Sequence, residues 1–215
     1  MYPILARLAA FDLVALLTAF VVGWLSFLHK GRTNAADPTY MLHVYFGLFA
    51  VLVNLAVHCL VFIYFLGTGR WVKEVALAYR LPDAPLPRLT RDLKRRTFPV
   101  ALLAMLVPIA AAAAGAGVAT QPDKWPWQLH AALAVLTLLV NGWAFAVELR
   151  NVRTNAGVLD EVMREVDRVR AEHGLPPNAE ALRREREEAA PTPPPGAAVS
   201  PGAAVPPGSR ARPGL

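Results

Sequence analysis

The chain has 215 residues, of which 55% are hydrophobic and 18% charged, and its mean hydropathy is +0.36 despite a polar, Pro-rich C-terminal quarter. Soluble domains average about 45–50% apolar and about 25% charged residues, so a mainly disordered chain is excluded and a soluble enzyme disfavoured, while the lone cysteine, Cys59, excludes an internal disulfide scaffold. The net charge of +6 comes without any nucleic-acid-binding module, so no nucleic acid partner is expected.

Residues 8–28 form the first run long enough to cross a bilayer, which takes about 20 mostly apolar residues. Asp12 is its one charge. The run exceeds the roughly 7–15 apolar residues of a signal peptide and no A-x-A site follows, so it reads as a retained helix. The second run, 38–69, has no Asp, Glu, Lys or Arg. Asp37 supplies an N-cap and Pro38 suits the first helical position. Gly67-Thr68-Gly69-Arg70 follows a membrane helix instead of a strand, so it reads as a hinge and not a phosphate loop. An amphipathic extension carrying Trp71 and Tyr79 reaches Leu81-Pro82.

The third run, 98–122, contains Pro108, where a kink is expected. Its small-residue stretch Ala110–Gly117 predicts close approach by another backbone. The fourth, 125–149, opens with Trp125 and Trp127, suited to the headgroup belt. Lipid offers no partner to backbone polar groups, so each run is predicted helical. Val158, Leu159, Val162, Met163, Val166 and Val169 then recur at helical spacing. They span about two heptads, fewer than the three to four a coiled coil needs, so packing on the basic loop or the membrane surface is predicted. Residues 178–189 form a short charged helix. The last segment has no aromatic residue and cannot bury enough apolar surface to fold. The predicted fold is therefore all-α: an up-down four-helix transmembrane bundle over residues 1–154, a cytoplasmic amphipathic helical segment over 155–189 and a disordered Pro/Ala/Gly-rich tail over 190–215.

Charge sets the orientation. Arg70, Lys73, Arg80, Arg88, Arg91, Lys94, Arg95 and Arg96 crowd the loop between the second and third runs, against Lys30, Arg32 and Lys124 in the other two loops. Lys and Arg accumulate on the cytoplasmic side. Both termini are then cytoplasmic, in a multi-pass protein of a cell membrane, read as a bacterial inner membrane. The expected partners are the lipid bilayer and a larger membrane complex or a second copy of the chain.

Ionisable residues in membrane helices are expensive and are functional candidates by default. The second and fourth helices run in the same direction, so His43 and His130, each a few residues inside, lie at matching depth. Asn54 and Asn141 follow them by the same 11 residues. At about 100° per residue that returns each Asn to the face of its His. His43, Gly47, Asn54 and His58 share one face, and His130, Thr137, Asn141 and Glu148 another. In an up-down bundle these helices oppose each other across the diagonal. Asp12 falls near the depth of His58, and a pair between them is expected.

Two imidazoles on facing helices, with Gly47 making room, suit axial ligation of a haem b iron. No CxxCH is present, so covalent haem attachment is excluded. The arrangement resembles four-helix membrane cytochrome subunits in architecture alone. His29 is a weaker candidate metal ligand. Three function classes follow. The first is a haem b-binding electron-transfer subunit with His43 and His130 as ligands on the outer side. The second is an accessory or scaffold subunit whose buried Asp12, Asn54, His58, Asn141 and Glu148 fix helix register. The third is a path for protons or a small solute. There is no P-loop, dinucleotide fingerprint, HExxH or GxSxG, so no independent enzymatic activity is expected.

Overall fold

In the computed structural model, residues 1–30, 37–83 and 85–189 are described. All regular structure among them is helical: α1 (Tyr2–Lys30), α2 (Pro38–Ala78), α3 (Leu86–Thr120), α4 (Trp127–Glu172) and α5 (Asn178–Ala189). The first four are long and apolar enough to cross a membrane. Arg32 and the tail expected to be disordered over 190–215 lie outside the described residues.

The four long helices pack in a ring, α1 on α2, α2 on α3, α3 on α4 and α4 on α1, with α2 and α4 also meeting across the diagonal. Neighbours are antiparallel: early α2 residue His43 meets Ala19 in the second half of α1, and Phe62 in the second half of α2 meets Phe98 in the first half of α3 edge-on. Many large apolar side chains point outward, among them Phe11, Leu25, Leu52, Ile63, Leu106 and Leu139. This belt suits a bilayer, where outward apolar groups cost nothing. Asp37 caps α2, accepting from the Thr39 N–H at 3.0 Å, and Pro38 occupies the first turn.

Several helices run further than their apolar spans. The hinge expected at Gly67–Arg70 is absent, because α2 continues to Ala78. Thr68 stays helical, its hydroxyl donating to the Tyr64 carbonyl at 2.8 Å. α3 begins at Leu86, inside the basic loop, and runs through Pro99 and Pro108. α4 is one helix of 46 residues, about 69 Å at 1.5 Å per residue. That is over twice the hydrocarbon thickness of about 30 Å, so α4 crosses position 155 without a break and projects beyond the span. Val158 and Val162 join Val72 of α2 and Leu93 of α3 in the same buried cluster. The amphipathic face therefore packs on the extensions of α2 and α3, and the bundle continues past the apolar zone at its basic end. Burying each valine there removes about three CH₂-sized groups from water, on the order of 2 kcal/mol per side chain.

Candidate functional site

Two polar layers lie inside the apolar zone. The first lies near the end opposite the basic loop, where His43 of α2 and His130 of α4 bring their rings to 5.9 Å between centroids, inclined at 67°. His43 donates from Nδ1 to the Ala19 carbonyl of α1 at 3.0 Å. His130 donates from Nδ1 to the Ala111 carbonyl of α3 at 2.8 Å. Each imidazole is thus tied to the neighbouring helix by one nitrogen. A carbonyl can only accept, so in a neutral ring Nδ1 carries the proton and Nε2 keeps its lone pair.

Glycines make this seating possible. A Cβ on Gly23 would stand 2.6 Å from the His43 ring, and one on Gly115 would stand 2.9 Å from the His130 ring. Both glycines lie four residues after the carbonyl that takes the imidazole proton, so each His lies against one small-x-x-x-small turn. Within the small run Ala110–Gly117, Gly115 admits the ring of His130 and Gly117 that of Trp125. Residue type and depth alone do not single out Gly23 or Ala19. Their signal was the Ala19-x-x-x-Gly23 spacing on one helix, repeated as Ala111-x-x-x-Gly115 on another.

Around the imidazoles the four helices border a partly open cavity of about 570 Å³ lined by, among others, Leu16, Gly47, Ala50, Pro108, Ala134 and Thr137. Cofactor sites typically span about 300–1,000 Å³ and are mostly apolar with a few placed polar groups. A Cβ built on Gly47 meets nothing within 4 Å, so this glycine borders open space. Phe27 and Trp127 also line the cavity, their ring centroids 4.6 Å apart and the planes tilted by 32°.

The fit to a bis-imidazole iron can be worked out. A metal–imidazole bond is about 2.0 Å and the ring nitrogen stands about 1.1 Å from its centroid, so two imidazoles sharing one iron would stand at most about 6.2 Å apart between centroids. The observed separation is 5.9 Å. The Nδ1 bonds to carbonyls also match the outer-sphere partner that metal-ligating histidines almost always have. His29 is exposed at the end of α1. Among the described residues no group of three or more His, Cys, Asp or Glu could hold a metal ion.

The second layer lies about 16 Å further along α2 and α4, at 1.5 Å for each of 11 residues. Asp12, Asn54, His58, Asn141 and Glu148 are all 0% exposed. Asn54 donates from Nδ2 to Asp12 Oδ2 at 2.9 Å and to Asn141 Oδ1 at 2.6 Å. His58 Nε2 lies 2.9 Å from Asn141 Oδ1, and its Nδ1 lies 2.8 Å from Glu148 Oε1. The His58 ring stacks on Phe145 at 4.8 Å, nearly parallel. The expected Asp12–His58 pair does not form directly. The acid partner of His58 is Glu148, across the diagonal, and Asp12 bonds Asn54 about one turn away. A further set follows toward the basic end, where Asn155 donates to the Tyr64 and Thr68 hydroxyls and Asn151 donates to Thr97.

No family model matches this chain, and neither a curated protein nor a solved structure is detectably similar to it.

Proposed function

We propose that this protein is a membrane electron-transfer subunit that binds haem b between His43 and His130. The observation that carries the reading is the pair of imidazoles from diagonal helices, 5.9 Å apart, each with Nδ1 committed to a backbone carbonyl. That commitment leaves Nε2 as the ligating nitrogen and holds each ring in one orientation before any group binds. Gly23 and Gly115 let the rings seat against α1 and α3, and Gly47 leaves room beside them. The bound iron would supply one-electron chemistry, and the aliphatic lining would keep water from it. The basic loop between α2 and α3 argues that the His43/His130 end faces away from the cytoplasm. Electrons would therefore be exchanged there with a quinol or a partner redox protein, as part of a larger membrane complex.

The test is an absorption spectrum of the purified, reduced protein expressed with ample haem. A Soret band is expected in the wild type and its loss in both His43→Ala and His130→Ala. A colourless wild-type protein overturns the reading. The rival is a scaffold subunit. It draws support from the second layer, where Asn54, Asn141, His58 and Glu148 bind one another across helices and would fix helix register without any cofactor.

A further inference from the structure

We propose that Asp12 is a redox-linked proton site, taking up a proton when the group held by His43 and His130 gains an electron. The Asn141 amide nitrogen lies 2.9 Å from the Thr137 carbonyl and 3.4 Å from the Ala104 carbonyl. Carbonyls only accept, so this end of Asn141 must be its NH₂ and the opposite end its oxygen. Oδ1 then accepts from both Asn54 and His58 Nε2, so Nε2 of His58 carries a proton. Between His58 Nδ1 and Glu148 Oε1, at 2.8 Å, one proton must lie, on the imidazole or on the carboxyl. In either case His58 and Glu148 together are neutral.

Asp12 is what remains. It accepts one bond, from Asn54, and its other oxygen, Oδ1, is buried with no partner; Glu148 Oε2 is also buried without one, but the Glu148 carboxyl shares its charge with His58 and Asp12 has no such partner. Both Asn54 N–H groups are spent on Asp12 and Asn141. No cation balances Asp12: α1 offers no other charge at this depth, α2 and α4 offer only the neutral His58–Glu148 pair, and α3 offers the Ala104 carbonyl. The layer thus carries one negative charge with Asp12 ionised and none with it protonated. A ferric haem core carries one positive charge and a ferrous core none. An ionised Asp12 balances the first and a protonated Asp12 the second, inside a medium that penalises net charge. Asn141 links the layers, because its amide donates to Thr137, which lines the cavity.

The step balances. One electron from a quinol or other one-electron donor would be taken up by the group held between His43 and His130, and one proton would pass from hydronium in bulk water to Oδ1 of Asp12, one O–H bond breaking in hydronium and one forming on the carboxyl. Toward the basic end Asn155 donates to the Tyr64 and Thr68 hydroxyls and its Oδ1 is a further buried acceptor without a donor; this separate polar set, not hydrogen-bonded to Glu148, is the side from which the proton would come.

Because the inference rests on the haem reading, the full chain in lipid nanodiscs is first tested for a Soret band and then titrated for midpoint potential between pH 5 and 9. In the wild type the potential should fall with pH, approaching about 59 mV for each tenfold change in proton activity where uptake is complete. Asp12→Glu should keep the slope, and Asp12→Asn should flatten it while leaving the Soret band intact. A flat wild-type profile overturns the proposal, as does a slope unchanged in Asp12→Asn, which would place the proton on the cofactor itself. A colourless wild type sinks the haem reading and the coupling together. The Asp12 proton is then judged by infrared spectroscopy of the same sample. A pH-sensitive carboxylic-acid band lost in Asp12→Asn and kept in Glu148→Gln supports a proton site, and its absence from the wild type removes it.

Discussion

Replacing Gly23 by Ala is a sharp test of the histidine site, because two effects of opposite sign are separable. In the middle of a helix, Gly→Ala favours folding by about 0.8–1 kcal/mol. At Gly23 the added methyl would stand 2.6 Å from Cε1 and 2.7 Å from Nδ1 of His43, so the ring must move. Movement weakens the bond to the Ala19 carbonyl, a net term of about 0.5–1.5 kcal/mol, and overpacking adds about 1–3 kcal/mol. The sum favours loss of stability by roughly 1–3 kcal/mol despite the helix gain. The site should suffer separately. Disturbing the outer partner of a metal-ligating histidine typically costs 10–100-fold in affinity, or about 1.4–2.8 kcal/mol. Gly142 is the control: its added Cβ meets nothing within 4 Å, so Gly142→Ala should keep only the helix gain. The assay is haem titration followed by absorbance, with thermal melting of the haem-free protein alongside. Gly23→Ala binding haem like the wild type and melting with Gly142→Ala would refute the seating of His43 against α1.

The other predictions rest on the remaining layers. His58→Ala strands Glu148 in a buried site and should lower stability by about 3–5 kcal/mol, whereas the double variant His58→Leu, Glu148→Leu should recover most of it; melting curves of the three decide. Val162→Asp places a carboxylate in the cluster with Val72 and Leu93 and should release the end of α4, read as faster proteolysis between residues 155 and 172 with the span intact. Arg91 binds Asp83 through both oxygens at 2.7 Å, and that hydrogen bonding holds the Asp83 carboxyl below its ordinary range. The pair's small stabilisation is therefore present above about pH 4 and fades as the carboxylate protonates. Both side chains are largely exposed, so Asp83→Asn should leave the neutral-pH melting point almost unchanged.

The spans and the meeting of His43 with His130 are legible in the sequence because both are matters of register along helices. Apolar length marks the spans, and two parallel helices with the same His-to-Asn spacing keep their polar groups level. What escapes is whatever depends on a neighbour's face. Depth alone places Asp12 beside His58, yet His58 points across the diagonal to α4, and Asp12, on the flanking α1, reaches Asn54 instead. The glycines under the imidazoles escape for the same reason, since only the packed helices show what each one touches. Composition also hides the length of α4. The apolar run stops near residue 149, but the helix needs only continued hydrogen bonding and a face to bury, which Val158, Val162 and Val166 provide.

The two polar layers differ in one respect that bears on what the protein is for. The α1–α2 and α3–α4 hairpins repeat each other. Ala19 and Gly23 correspond to Ala111 and Gly115, 92 residues on, and His43 and Asn54 correspond to His130 and Asn141, 87 residues on. In the histidine layer the repeat is kept: ring, carbonyl and glycine recur on both sides of the cavity, as a ligand with two equivalent faces would require. In the second layer it is broken. The same offsets carry His58 onto Phe145, the ring it stacks on, and Asp12 onto Ala104, whose carbonyl takes the Asn141 amide just as Asp12 takes that of Asn54. A scaffold that needed only interhelical hydrogen bonds would be served by two backbone carbonyls at these positions. One of the pair is instead a carboxylate, held in a membrane interior where ionisation is expensive. Glu148 breaks the repeat as well, its counterpart being Val61, but it is paired with His58, which leaves Asp12 as the carboxylate of this layer without a counter-charge. The departure from symmetry at Asp12, directly beneath a symmetric pair of imidazoles, therefore favours a charge-coupled site over a structural one.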